Sequence, residues 1–128
     1  MTVYEAITQA DILRPGNNCT EEQKLDWLSI LDKTINDIYG FYDGLTQKTD
    51  FDLTYTVENS AVTDLLAPDI YTELYVHYLC ARIDLMNSDI SRYNNESALY
   101  KGLLNDYYAF LNRTHATKEK IAVDLVGW

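Results

Sequence analysis

Asp69-Ile70-Tyr71-Thr72-Glu73-Leu74-Tyr75-Val76-His77-Tyr78-Leu79-Cys80-Ala81-Arg82-Ile83-Asp84-Leu85-Met86 is the stretch that the rest of the chain must pack around. At 3.6 residues per turn, Ile70, Leu74, Tyr78, Ala81 and Leu85 share one arc. Tyr71, Tyr75, Leu79 and Met86 continue it, and Val76 and Ile83 carry it further. Only a narrow stripe of Glu73, His77, Cys80 and Asp84 is left over. A helix that is apolar nearly all round is buried on several sides. This one is too short, and too charged along its stripe, to span a membrane.

Pro68 suits the first turn of that helix. After it, Asn87-Ser88-Asp89 makes a turn with Ser88 as N-cap. A last helix follows, over about residues 89–113. Ile90, Tyr93, Ser97, Tyr100, Leu104, Tyr107 and Leu111 alternate steps of three and four, which is a heptad seam. Leu99, Leu103 and Phe110 widen it, while Asn94, Lys101, Asn105 and Asn112 face water. The short connection makes the two helices an antiparallel hairpin.

Towards the N-terminus, Thr2-Val3-Tyr4-Glu5 and Thr20-Glu21-Glu22-Gln23 are capping boxes that open two further helices. The first stops before Arg14-Pro15-Gly16. The second runs over about residues 21–39 and ends at Gly40. It places Leu25, Leu28, Leu31, Ile35 and Ile38 on one face, bordered by Trp27. Ile30 points away from that face, as an exposed apolar residue or as a contact with a neighbouring subunit.

Residues 41–64 break the helical pattern. Phe51, Leu53 and Tyr55 alternate with Asp52 and Thr54, a short strand signal. The segment holds Asp43, Asp50, Asp52, Glu58 and Asp64 against Lys48 alone. Such a segment either projects from the bundle or lies flat on its own subunit. Residues 114–128 form a C-terminal tail whose second half carries Ile121, Val123, Leu125 and Trp128. That apolar half docks on its own bundle or on a neighbour. The fold class is therefore all-α: a single helical domain over 1–113, built on a long antiparallel hairpin, with an extended or short-β acidic excursion and a tail.

The chain has 128 residues, 20 acidic against 10 basic side chains, and a net charge of −10. It will not bind DNA by neutralising phosphates. A conduit for DNA, however, gains from walls that do not stick. The 11 tyrosines suit half-buried surfaces, being apolar with a polar tip. Cys19 and Cys80 show no metal-like spacing, as in a reduced intracellular protein. Met1 to Ala10 lacks the basic and apolar regions of a secretory signal.

The one constellation with ligand chemistry is Glu73, His77, Cys80 and Asp84, on one helix face. One straight helix does not readily wrap a metal with four ligands, so a polar edge is the preferred reading, and no metal or cofactor is expected. Neither a nucleophile triad nor a Gly-rich phosphate loop is present. No enzyme is expected. Arg82 sits opposite the stripe, amid apolar residues, and needs a partner. Asp106 or Asp32 could pair with it inside the subunit; otherwise it meets a carboxylate across a subunit boundary.

Leu66-Ala67-Pro68-Asp69-Ile70-Tyr71-Thr72-Glu73-Leu74-Tyr75, then Ile83-Asp84, Arg92-Tyr93-Asn94-Asn95-Glu96 and Asn112-Arg113-Thr114-His115, carry a resemblance. Over about residues 65–115 the chain resembles the head–tail connector, or adaptor, proteins of tailed phages and prophages of low-GC bacteria. The resemblance implies an α-helical bundle that forms a ring, commonly of twelve subunits, below the portal protein. It implies a role in the virion neck, assembled in the host cytoplasm, where the ring extends the DNA channel and receives a stopper or tail-completion protein. Contacts would come from loops and tail, with Ile30, Phe51, Leu53, Tyr55, Arg82, Ile121, Val123, Leu125 and Trp128 as candidates. DNA would pass without specific binding, and no membrane would be involved. The tail is more apolar than the basic tail of that family. A second class is a small acidic inhibitor that mimics DNA charge and binds a protein partner. A third, a metal-dependent helical enzyme, rests on the Glu73/His77 stripe alone.

Overall fold

A computed structural model describes residues 1–117. They form four α-helices and one short 3-10 turn: α1 (Val3–Leu13), α2 (Glu21–Tyr39), the 3-10 turn Asp69–Tyr71, α3 (Glu73–Met86) and α4 (Ile90–Thr114). α3 packs against α4, α1 and α2, so it is the central element that its sequence requires. Leu74, Tyr75, Leu79, Cys80 and Ile83 are fully buried along it.

Both capping boxes form. The Thr2 hydroxyl accepts from the Glu5 N–H, and the Glu5 carboxylate accepts from the Thr2 N–H. Thr20 and Gln23 do the same for α2. Two further N–H groups that α1 cannot satisfy internally are taken by a distant segment. Val3 donates to the Thr63 carbonyl and Tyr4 to the Ser60 carbonyl, at 2.9 and 3.0 Å. The start of the chain is thereby tied to the linker that feeds α3.

Three expectations need correction. The central helix is not continuous from Asp69: a 3-10 turn comes first, and α3 starts at Glu73. A 3-10 turn advances about 120° per residue rather than 100°, which takes Ile70 off the apolar arc and leaves it 82% exposed. Ser88 is not the cap of α4. It adopts a left-handed φ of 58°, and Asp89 caps the helix by accepting from the Arg92 N–H. Gly40 ends α2, but in a right-handed conformation (φ −63°). A Cβ there would lie 2.9 Å from the amide end of the Gln47 side chain, which is flexible and can move aside, so neither a left-handed turn nor close packing demands the glycine.

The expected β excursion is not a strand. No strand exists among the described residues, only the isolated bridges Thr2–Asp64 and Tyr42–Thr117. Residues 41–64 are a series of turns laid on the subunit. Leu53 and Tyr55 are buried, whereas Phe51 is 87% exposed. Their alternation is real, but side chains of α2, not a partner strand, hold the backbone. The Ser29 hydroxyl donates to the Leu53 carbonyl and accepts from the Tyr55 N–H. Asn36 donates to the Lys48 carbonyl at 2.9 Å and accepts from the Lys48 N–H at 2.8 Å. Polar side chains on a helix flank can satisfy a loop's backbone as a sheet would.

Candidate assembly surface

Two buried polar clusters fix the subunit and so determine which surface remains. In the first, Asp32 of α2 is fully buried. It accepts from the hydroxyls of Tyr55 and Tyr75, the latter at 2.6 Å, and from the Leu66 N–H at 3.1 Å. Tyr75 in turn accepts from the Ala67 N–H at 2.9 Å. One carboxylate thus joins α2, the 53–55 turn, the linker and α3. Burial raises the carboxyl of Asp32 above the usual aspartate range, and its three donors oppose that shift. Burial, and then the neighbouring charge of Asp32, raise the hydroxyls of Tyr55 and Tyr75. Both therefore remain protonated donors.

In the second cluster, Arg14 grips Asp84 of α3 with two parallel bonds, at 2.8 and 3.0 Å, and reaches Glu96 of α4 at 3.1 Å. Glu96 also meets Nδ1 of His77 at 2.6 Å. The hydrogen bond with Asp84 raises the already high value of the guanidinium further. The expected stripe on α3 therefore divides by partner. Asp84 and His77 are engaged in this network, and Glu73 is exposed. Cys80 is buried, its thiol pushed up to about 11 mainly by that burial. Among the described residues, no group of three or more His, Cys, Asp and Glu side chains could hold a metal. No helix there is long and apolar enough to cross a membrane. Arg14 was legible in the sequence only as part of a helix breaker, because its partner lies 70 residues away.

Neither candidate partner reaches Arg82. Asp32 is engaged by tyrosines, and Asp106 is exposed on α4. The Arg82 guanidinium instead lies 5.3 Å from the centre of the Trp27 ring, and its buried Nε has no hydrogen-bond partner.

Among the described residues, α4 presents an incompletely covered surface. Its heptad seam faces α3, and Ser97, Tyr107 and Leu111 are buried. Tyr100 packs edge-on against Tyr78 at 5.2 Å, and Tyr71 lies against Tyr107 and Phe110 at 5.0 and 5.6 Å. The hydroxyls of Tyr39 and Tyr107 hydrogen-bond, which ties α4 to α2. Ile90, expected to open the seam, is exposed at the start of the helix, and Leu99 beside the seam is half exposed. Leu103, Leu104, Tyr108 and Phe110 are only partly covered. The chain after α4 begins by folding back: Asp43 donates to the Ala116 carbonyl at 2.8 Å, and Tyr42 to Asn112.

Among the sequence candidates, Ile30 and Phe51 are exposed, and Arg82 is half-buried and unpaired. Leu53 and Tyr55 are part of the subunit's own core. Ile121, Val123, Leu125 and Trp128 lie outside the described residues. No family model, curated protein or solved structure matches this chain.

Proposed function

We propose that this protein is a structural head–tail adaptor: a ring below the portal that continues the DNA channel and receives the stopper or tail. The observation that carries the assembly role is α4. It is 25 residues long, yet only three of them are buried among the described residues, while apolar side chains remain open along it. A long helix with an uncovered apolar face is built to be covered by another chain. The resemblance over residues 65–115 points to the portal ring and to further copies of this chain as what covers it. The charge of −10 supports a channel wall that DNA does not adhere to. No cofactor and no chemical step belong to this reading.

The test is co-assembly. Purified portal rings encoded in the same genome are mixed with this protein, and the large fraction is imaged by negative stain. A second ring stacked below the portal is the expected result. Unchanged portal rings, with the protein left in the small fraction, would contradict it.

One hollow favours the second reading, an acidic inhibitor. Glu22, Asp26 and Glu58 line a recess of about 350 Å³ floored by Leu25, Tyr55 and Val57. A basic segment of a nucleic-acid-binding protein would fit its charge. Capture of such a partner that is lost on Asp26→Lys, with portal rings ignored, would favour this reading over the first.

A further inference from the structure

We infer that the turn Asp50-Phe51-Asp52 of one subunit seats against Arg82 and Tyr100 of a second copy, above the buried ring of Trp27, forming a head-to-tail joint. The inference rests on the ring reading, for which it supplies the contact between neighbours.

The socket is defined by Arg82. Its Nε is shielded from solvent without an acceptor, and it makes no ion pair among the described residues, in a chain with twice as many acids as bases. Trp27 of α2 lies under the guanidinium. Tyr78, one turn earlier on α3, packs edge-on against Tyr100 of α4. A cation set into this aromatic wall is poorly hydrated, and a carboxylate brought to it forms a stronger, charge-assisted bond than one in open water.

The complementary piece is on the same chain. Phe51 is 87% exposed, the most exposed of the large apolar side chains among the described residues. Asp50 and Asp52 flank it, both exposed and in no ion pair among the described residues. The turn is nonetheless held firmly at its base. Leu53 and Tyr55 are buried behind it, and Ser29 and Asn36 bind its backbone on either side. A preformed knob does not have to be ordered on binding.

Placement requires the two pieces to meet between copies rather than within one. Trp27 faces the socket, while Ser29 holds the base of the knob. Two residues apart on a helix is a rotation of about 200°, so socket and knob occupy opposite flanks of α2. A contact between two different patches is heterologous, and repeating it generates a ring when the rotation closes.

The test uses sedimentation velocity on the full chain over a concentration series reaching the millimolar range. Wild type should self-associate with increasing concentration. Phe51→Ser, with Asp50→Lys and Asp52→Lys, removes the knob; Arg82→Glu removes the socket. Each variant should raise the dissociation constant about tenfold or more. Arg82→Gln, which removes the charge without introducing an opposing one, should fall between wild type and Arg82→Glu. Mixing the knob variant with Arg82→Glu leaves one working contact per pair, so the mixture should form a heterodimer and stop there. A wild type that stays monomeric, variants that associate as wild type does, or a mixture without heterodimer would each overturn the joint. Portal binding without the heterodimer removes the joint alone. A heterodimer without portal binding removes the adaptor reading alone.

Discussion

α3 and α4 are partners in one hairpin, yet they are built for different surroundings. α3 buries nine of its 14 residues, and its neighbours lie on three sides. α4 buries three of 25 and packs mainly on one side. Both sequences carry an apolar helical pattern, so the pattern reports how much surface must be covered, not which chain covers it. For α3 the subunit supplies the cover and pins it with buried polar groups. For α4 the described residues cover one side only, and the remainder is offered outward.

This contrast can be broken by substitution, and the greatest effect should come from the polar group that pins α3. Asp32→Ala removes one acceptor from three donors at a site without solvent, leaving Tyr55, Tyr75 and the Leu66 N–H unpaired. The expected loss is about 4 kcal/mol, measured by urea unfolding. Loss below about 1 kcal/mol would mean that the tyrosines find other acceptors.

Arg14→Ala should cost somewhat less, about 3 kcal/mol, because it strands Asp84, which is 2% exposed, without its cation. Replacing both partners with apolar residues, Arg14→Met and Asp84→Leu, should recover most of that loss. If the double variant is no better than the single one, Glu96 and not Asp84 is the partner that matters.

The pH response sharpens the same comparison. The carboxyl of Asp32 is raised in the folded state by burial, against the opposing bonds from Tyr55, Tyr75 and Leu66. A raised folded value means that its stabilising contribution is complete below the unfolded value, about 3.9, and is lost as pH rises through the folded value. Asp32→Asn cannot titrate. The stability gap between wild type and Asp32→Asn should therefore narrow as pH rises above about 4, read from urea midpoints. A gap that widens with pH would reverse the assigned direction.

The smallest effect belongs to α4. Leu99→Ser removes an apolar group that is half exposed in the subunit, and it should shift stability by no more than about 0.5 kcal/mol. The same variant should weaken co-assembly with portal rings. A large stability loss would show that the face is already covered within the subunit.

How far the sequence could be read follows the range of the interactions. The capping boxes at Thr2 and Thr20 and the periodicity of α2, α3 and α4 are local, and they were legible. The 41–64 segment was not. Its alternation predicts a strand, but Ser29 and Asn36, many residues away, hold it as turns. Arg14 reads as part of a breaker, because its carboxylate lies on another helix. Arg82 was legible as an anomaly, a charge amid apolar neighbours. Its missing partner was not, because a list of acids does not reveal that tyrosines already occupy Asp32. Phe51 shares its alternation with Leu53 and Tyr55, and only the structure separates the exposed residue from the two buried ones.

The central claim is that another chain covers the outer face of α4. Hydroxyl-radical footprinting of this protein, free and bound to portal rings, measures that directly. Ile90 and Leu99 should react when free and be protected in the assembled fraction, while exposed Val62 on the 41–64 segment serves as an internal reference. Equal reactivity of the α4 residues in both fractions would contradict the claim, whatever rings the images show.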